Sequence, residues 1–495
     1  MLRLLAFDLG ASNGRALLGL LEDGKLEIKE LHRFENNCEE KDGRLCWDIG
    51  HLYREMLAGF RAYAKLGLGE LHCFGIDTWG VDYGLLDGQG RLIGTPRAYR
   101  GAVDADMDAV WERVPFETLF ARTGIATLNF NTVYQLFRRV REQDAELAKA
   151  EKMLLMPDLL GYLLTGTIRA EYTNATTTML YDPAKQDWAW DILRVLDIPE
   201  KIFPPLDRAG TVRGALKPEV AKELGLNAVP FAAVGTHDTA SAVAAIPGSG
   251  HFAFCSCGTW SLLGTETENA LLGDEVRESN FSNEGTVQGG FRPLKNIMGL
   301  WIIQECRREW QKSGLPLDWS GIVEQAEKAQ PFRSIIDPDD PPFFSAGNMI
   351  GKIQAFCRET GQPVPETVGE VARCVYESLA VKYRWAIEHL EQISGQPMAS
   401  MNMVGGGIQN KMLMQLSADA MNRPVIAGPV EGAAMGNLLT QAMALGAVRD
   451  IQELRQIVRR SENVTVYEPH FTKNWENAYQ TLNQVMNRRK NHGSL

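Results

Sequence analysis

The sequence has few of the features that mark membrane, secreted or nucleic-acid-binding proteins. Its eight cysteines in 495 residues are too sparse for a disulfide framework. No apolar run reaches the roughly 18 residues of a membrane helix. The chain enters a strand-like segment too early for a signal peptide, so we expect a cytoplasmic protein. Its net charge of −11 comes without a lysine- or arginine-dense stripe, which argues against nucleic-acid binding.

Two common phosphate-binding signatures are also missing, since no Gly-Lys-Ser/Thr and no Gly-x-Gly-x-x-Gly opens a helix. An internal repeat stands in their place. Residues 8–15 follow the apolar run 4–7, and residues 257–264 follow the apolar run 252–255. Each copy predicts a strand that turns through glycine with hydroxyls at the bend and returns as a second strand. Backbone N–H groups at such turns can cradle phosphate, and Asp8 of the first copy could hold Mg²⁺ through water.

The length of the chain and the repeat together predict two domains. Strands alternate with helices in the first half, and a second series begins at residues 231–235, which predicts an α/β fold. We expect domains at residues 1–245 and 246–470, followed by a C-terminal helix and tail at 471–495. Two phosphate hairpins facing each other across a cleft would grip one nucleotide, which points to ATP-dependent phosphoryl transfer.

A second group of candidate residues follows the strand at 231–235. Functional groups gather at the carboxyl ends of strands in α/β sheets, and Asp238 is placed there. A kinase that acts on a sugar hydroxyl needs a carboxylate to accept the proton, so Asp238 is the candidate base. Asp238 could instead be only a helix cap, and His237 could be the base or a structural hydrogen-bonding residue. Thr239 and Ser241 can cap the helix that follows.

Two further strand ends have a functional and a structural interpretation. The triple glycine at 405–407 would let the backbone approach adenine or ribose closely, or it is a tight turn without a ligand. Residues 75–82 end a buried strand with two acids and an indole. Such a set, which includes Asp77 and Trp79, is typical of a carbohydrate site. The alternative is a structural strand end with a buried tryptophan and no ligand.

Four of the cysteines form two candidate pairs. Cys255 and Cys257 share one face of a predicted strand. A metal or redox pair is possible there, and buried small apolar residues are the simpler interpretation. Cys357 and Cys374 could meet in space, but the sequence does not say whether they form a disulfide.

Taken together, these segments resemble the FGGY carbohydrate kinases from residue 4 to about residue 470. The stretches that carry the resemblance are 8–15, 75–82, 130–136, 156–158, 171–178, 236–241, 294–301 and 404–410. The resemblance implies two ribonuclease H-like domains of the actin and hexokinase type, with a nucleotide cleft between them. It also implies an ATP-dependent sugar kinase that uses Mg²⁺. The implied reaction is phosphorylation of O1 of L-rhamnulose, in L-rhamnose catabolism.

The resemblance assigns roles residue by residue. Asp238 would accept the proton, and Asp8 would help to seat the metal. The implied sugar contacts are Gly80, His237, Asp238, Thr239 and Asn296. The segment 75–82 adds Asp77 and Trp79 as candidate sugar contacts. The implied ATP contacts are Ala11, Ser12, Asn13, Gly14, Arg15, Thr259, Gln304, Gly405, Gly406 and Gly407.

One position departs from the family, because Gly101 stands where an acid commonly follows Arg100. The resemblance therefore does not assign contacts with sugar or phosphate to the loop around Gly101. Two rival functions also stay open: a kinase for another ketose, such as L-fuculose or L-xylulose, and a non-catalytic sugar or nucleotide sensor on the same fold.

Overall fold

The computed structural model describes residues 1–248, 250–470 and 472–492. The chain divides into two compact units. Unit 1 comprises Met1–Pro247, Glu266–Pro293 and Glu431–Glu462, and unit 2 comprises Gly248–Thr265, Leu294–Val430 and the residues from Asn463 onward. The sequence predicts contiguous domains cut at residues 245 and 470, whereas each unit gathers separate stretches of chain. Residues 493–495 of the predicted tail lie outside the described residues.

The strands are as follows: β1 Leu2–Leu9, β2 Asn13–Glu22, β3 Lys25–Glu35, β4 Cys38–Lys41, β5 Arg44–Trp47, β6 Cys73–Thr78, β7 Tyr83–Leu86, β8 Leu92–Ile93, β9 Lys152–Leu155, β10 Ala170–Glu171, β11 Tyr181–Asp182, β12 Asp187–Trp188, β13 Leu206–Asp207, β14 Thr211–Ala215, β15 Pro230–Ala233, β16 Ala253–Cys257, β17 Trp260–Gly264, β18 Ser282–Gly285, β19 Phe291–Met298, β20 Met401–Val404, β21 Val425–Ala427 and β22 Thr465–Tyr467.

The helices are as follows: α1 Ile49–Lys65, α2 Ala105–Trp111, α3 Phe116–Thr123, α4 Thr132–Arg141, α5 Ala145–Lys149, α6 Met156–Thr165, α7 Tyr172–Ala175, α8 Trp190–Val195, α9 Pro218–Leu224, α10 Asp238–Ala244, α11 Asp274–Glu278, α12 Trp301–Lys312, α13 Trp319–Lys328, α14 Met349–Glu359, α15 Val368–Ser394, α16 Lys411–Met421, α17 Gly432–Ala444, α18 Ile451–Ser461 and α19 Lys473–His492. Short 3-10 turns occur at Tyr99–Gly101, Thr176–Thr178, Glu200–Ile202, Pro341–Phe344 and Gly406–Gln409.

Unit 1 is built on a six-stranded sheet in the order β14–β15–β6–β1–β2–β3. The first three strands form an antiparallel meander, and β6 and β15 add in parallel. Side chains of β1 alternate between the two faces. Leu5 and Phe7 pack in one core cluster, while Leu4 and Ala6 pack in another. The sheet of unit 1 is thus apolar on both faces.

Unit 2 repeats this arrangement. Its strands follow the order β19–β17–β16–β20–β21–β22, with β19, β17 and β16 antiparallel and β20 and β21 parallel to β16. The long helix α15 begins with a capping box between Thr367 and Glu370. It ends at Gly395 in the left-handed conformation, with φ +69°.

Within the described part of the chain, no helix is both long and apolar enough to cross a membrane.

Candidate active site

Three carboxylates of unit 1 meet at the carboxyl ends of neighbouring strands. Asp8 near the end of β1 pairs in register with Asp77 near the end of β6. Thr78 N donates to Thr236 O at 2.8 Å, which sets the segment that leads to Asp238 beside β6. Burial raises the pKa of both Asp77 and Asp238, and the charge of Asp8 adds to the shift in each. The predicted base and the predicted metal residue therefore share one end of the sheet.

The first predicted phosphate loop is the hairpin between β1 and β2. Gly10 N donates to Asn13 O at 2.8 Å and closes the turn. Arg100, which sequence reasoning did not place in the site, donates from Nη2 to Ala11 O at 3.2 Å and to Ser12 Oγ at 3.4 Å. An arginine beside this turn adds positive charge next to the backbone cradle. The only sequence signal for it is its place beside the unusual Gly101.

The Asp8 carboxylate forms an ion pair with the side chain of Arg15. Its Oδ2 lies 2.5 Å from Arg15 Nη2, and Arg15 Nη1 lies 2.7 Å from Glu431 Oε2. Among the described residues, no group of three or more His, Cys, Asp or Glu side chains is arranged to hold a metal ion. Mg²⁺ needs only one or two carboxylates when phosphates and water supply the other ligands. Asp8 fits such an ion as a single protein ligand, with Arg15 sharing the carboxylate.

Asp77 and Trp79, two predicted sugar contacts, are both buried. Asp77 Oδ2 accepts from Asn437 Nδ2 at 2.6 Å. Trp79 Nε1 donates to Asp82 Oδ2 at 3.0 Å, and its ring packs 4.2 Å from that of Trp47. Such side chains can shape a pocket from behind, and their contact with sugar stays a prediction.

The predicted sugar contact Gly80 lies in a strained turn. A Cβ at Gly80 would lie 2.9 Å from Thr177 Oγ1. The next residue, Val81, has φ +68°, a conformation that β-branched residues rarely adopt. Two bonds hold it: Val81 N donates to Thr177 Oγ1 at 3.1 Å, and Thr132 Oγ1 donates to Val81 O at 2.6 Å. Strain held in this way often occurs at ligand sites.

Asp238 is the first residue of α10, and His237 precedes it. Asp238 Oδ1 accepts from Thr239 N at 2.5 Å and from Thr239 Oγ1 at 3.1 Å, while 34% of the side chain remains exposed. The expectation that Thr239 and Ser241 cap this helix is wrong. The cap position is His237, without a side-chain cap bond, and Ser241 Oγ donates back to Gly235 O at 2.7 Å.

The second phosphate hairpin lies in unit 2, between β16 and β17. Gly258 N donates to Trp260 O at 2.9 Å, and Thr259 O accepts from Gly299 N and Trp301 N, each at 3.1 Å. Thr259 Oγ1 donates to Gln304 Oε1 at 3.3 Å, and both side chains are accessible. The structure thus brings together two of the predicted ATP contacts.

The glycine loop at 405–407 packs against the end of β16. Gly405 has φ +86°, and a Cβ at Gly407 would lie 2.3 Å from Cys257 Sγ. Only glycine fits here, because a side chain would collide with the first hairpin strand. Asn296, a predicted sugar contact, lies on β19 opposite Leu262 and is partly exposed.

The cysteines that the sequence singled out are all free thiols. Cys255 and Cys257 are buried, as the simpler interpretation predicts. Cys357 and Cys374 do meet, since their side chains are hydrogen-bonded to each other.

Comparison with known proteins identifies the family to which this chain belongs. The model described as the FGGY family of carbohydrate kinases, N-terminal domain, matches residues 3–245, and that of the C-terminal domain matches residues 253–445. A rhamnulokinase from Bacteroides thetaiotaomicron is 41% identical over 96% of this chain and 97% of its own length. A rhamnulokinase from Enterococcus faecalis is 41% identical over 97% of each.

Solved structures share the fold at low sequence identity. A ligand-bound xylulose kinase from Lactobacillus acidophilus has a TM-score of 0.83 at 15% identity and covers 100% of this chain and 99% of its own. Plasmodium falciparum glycerol kinase with ADP has a TM-score of 0.78 at 15% identity, covering 99% and 98%. The predicted two-domain α/β fold is confirmed, and the chain belongs to the FGGY family of carbohydrate kinases.

Proposed function

We propose that this kinase transfers the γ-phosphoryl group of ATP to O1 of L-rhamnulose, giving ADP and L-rhamnulose 1-phosphate. The assignment of L-rhamnulose as the substrate is supported by the relatives named rhamnulokinases, which align with nearly the whole chain. The site supports the chemistry, because a half-buried carboxylate follows a strand end beside two further acids. Since the reaction consumes ATP, we place it in the cytoplasm.

Asp238 is the proposed proton acceptor. As the O1–phosphorus bond forms and the bond from the γ-phosphorus to the leaving oxygen of ADP breaks, the O1 proton passes to Asp238 Oδ2 or Oδ1. Burial raises the pKa of Asp238, although His237 opposes the shift, and this raised basicity favours proton transfer. The remaining proposed sugar contacts are Gly80, His237, Thr239, Asn296, Asp77 and Trp79.

ATP is proposed to contact residues of both units. The unit 1 contacts are Ala11, Ser12, Asn13, Gly14 and Arg15, to which the structure adds Arg100 as a further candidate. The unit 2 contacts are Thr259, Gln304, Gly405, Gly406 and Gly407. Mg²⁺ held through Asp8 would neutralise phosphate charge when bound. The family-model boundaries support an N-terminal domain up to residue 245, and we retain 246–470 and 471–495 as the proposed remaining divisions.

Release of ADP tests this function. The purified protein is assayed with Mg²⁺-ATP against L-rhamnulose, L-fuculose, L-xylulose, D-xylulose and glycerol. The proposal predicts the highest kcat/KM with L-rhamnulose, because differential contacts to each hydroxyl set this ratio. A preference for another ketose would keep the kinase and discard the substrate. Absence of ADP release from protein that binds ATP would favour a sensor.

A further inference from the structure

A buried ion pair of unit 1 lies next to the proposed base. Arg292, at the start of β19, has a fully buried side chain, and Glu284 of β18 is 11% exposed. Arg292 Nη2 donates to Glu284 Oε2 at 2.6 Å. Arg292 Nε and Nη1 have no partner among the described residues. Burying a charge pair with two unsatisfied donors is costly, so this pair adds little to stability by itself.

Both members of the pair contact the same atom of His237. Arg292 Nη2 lies 2.7 Å from His237 Nδ1, and Glu284 Oε2 lies 3.0 Å from it. The other ring nitrogen, Nε2, lies 3.6 Å from Asp238 Oδ1. The imidazole therefore bridges the buried pair and the proposed base.

We propose that Arg292 and Glu284 are positioning residues for proton transfer, which act by fixing the His237 ring so that its Nε2 faces the Asp238 carboxylate. The inference rests on the proposed function, in which Asp238 is the base. It names two residues that no sequence motif singled out.

The shorter contact, from Arg292 Nη2 to Nδ1 at 2.7 Å, assigns Nδ1 as the acceptor, whereas a bond from Nδ1–H to Glu284 would leave Nε2 of a neutral ring without a hydrogen. In a neutral ring, a hydrogen bond from Arg292 to Nδ1 leaves the hydrogen on Nε2. In a protonated ring, Glu284 accepts the additional Nδ1–H. In both cases the hydrogen on Nε2 lies on the side of the ring that is 3.6 Å from Asp238 Oδ1, and its positive end favours the carboxylate form, which accepts the sugar proton.

Electrostatics agree with this geometry. Burial opposes ionisation of Glu284, but His237 and Arg292 outweigh it and lower its pKa to about 2. Glu284 is therefore a permanent anion at neutral pH, suited to hold a neighbouring N–H. Burial also raises the pKa of Asp238, and His237 acts against that shift.

A double-mutant cycle tests the inference. Glu284→Gln keeps the shape of the side chain and removes its charge. We expect kcat with L-rhamnulose to fall about tenfold or more, with the KM for ATP changed by less than about twofold, as for other supporting partners of an active-site histidine. In a His237→Gln background, Glu284→Gln should lower kcat by less than about twofold further, because residues that act as a unit are non-additive.

Separate outcomes contradict the inference and the function on which it rests. A normal kcat for Glu284→Gln, or losses that multiply in the double variant, would overturn the positioning role. If Asp238→Asn, assayed in parallel, retained turnover, the proposed base itself would fail. If Glu284→Gln does not fold, Arg292→Lys replaces it in the same cycle with His237→Gln, and the same comparison of kcat values tests the positioning role.

A matched control uses another buried arginine of the same unit. Arg139 is 3% exposed and pairs with Asp144 and Glu146, with no contact to His237. Arg139→Lys should leave kcat within about twofold of wild type. An equal loss of kcat in Arg139→Lys and Arg292→Lys would mean that general packing, rather than His237, explains the effect, and would overturn the inference.

Discussion

Each unit has its own main sheet with the same strand order, and the two sheets differ in the residues at the carboxyl ends of their strands. The order β14–β15–β6–β1–β2–β3 in unit 1 matches β22–β21–β20–β16–β17–β19 in unit 2, strand by strand, including the sense of each pairing. In unit 1, Asp8 lies opposite Asp77 in the register. In unit 2, Ser256 lies opposite Val404.

The strands that follow show the same contrast. Unit 1 continues after β15 into His237 and Asp238, whereas unit 2 continues after β21 into Gly428 and Pro429. The duplicated backbone thus supplies two phosphate-type hairpins, and among the residues that the structure describes, these strand-end acids lie in one copy. Shared topology does not carry shared chemistry, which depends on the few residues at the strand ends.

The largest expected effect comes from the base of unit 1. Asp238→Asn should lower kcat by about 10² to 10⁴, the usual contribution of a general base. ATP affinity, measured by calorimetry, should stay near that of wild type. Asp274→Asn, whose side chain is 86% exposed in the same unit, is the control and should turn over normally. Turnover of Asp238→Asn within tenfold of wild type would contradict the assignment.

Matched substitutions in the two hairpins test the contrast directly. Asp8→Asn removes the carboxylate that pairs with Arg15, and kcat/KM for ATP should fall by about 100-fold through lost electrostatic stabilisation. Ser256 stands two residues before the turn glycine Gly258, as Asp8 does before Gly10. Ser256→Ala should cost less than about fivefold. Equal losses would show that the two copies contribute alike.

A stability measurement probes how unit 1 holds α10 in place. A Cβ at Gly436 of α17 would lie 1.8 Å from Ser241 O, so Gly436→Ala must push α10 and α17 apart. We expect the free energy of unfolding to fall by about 1 to 3 kcal/mol, the usual cost of overpacking. Gly273→Ala, where a Cβ meets nothing within 4 Å, is the control. Coincident urea midpoints for the two variants would refute this packing argument.

The smallest effect concerns pH. Asp82 is fully buried and accepts from Trp47 Nε1 at 2.7 Å and Trp79 Nε1 at 3.0 Å. Burial raises its pKa to about 6 despite these bonds. A raised carboxyl pKa means that the fold favours the protonated form. The stability from this group is therefore present below about pH 4 and is lost as pH rises through about 6.

Asp82→Asn cannot ionise, so it escapes this loss. The stability difference between wild type and Asp82→Asn should shift in favour of the variant, on the order of 1 kcal/mol, between pH 4 and 6.5. Thermal melts across this range measure it. For the partly buried Asp87, hydrogen bonds led by that from Arg91 N lower the pKa. Asp87→Asn should therefore show little change in the same window, and parallel pH profiles for the two variants would contradict the account.

The sequence predicts the positions of strands and hairpins better than it predicts the environments of their side chains. Alternating apolar residues and glycine turns act locally, so β1, β6 and β20 lie where the pattern predicts them. Burial of Asp77 depends on Asn437, which is 360 residues away. No local pattern carries that information.

The same reason explains why Arg292 and Glu284 were missed. Charged residues in a hairpin are usually solvent-exposed, and only the fold brings Arg292 to His237, 55 residues earlier in the chain. The roles of Asp238 and Asp8 came from position at a strand end together with family resemblance, and the structure adds the neighbours that would tune them.

The most direct test of the central claim is the position of the phosphate in the product. L-rhamnulose, ATP and the protein are incubated with Mg²⁺, and the product is examined by phosphorus–carbon coupling in NMR. We expect one phosphomonoester coupled to C1, formed in step with ADP by wild type and at least about 100-fold more slowly by Asp238→Asn. Phosphate on another carbon, or ADP without a phosphorylated sugar, would contradict it.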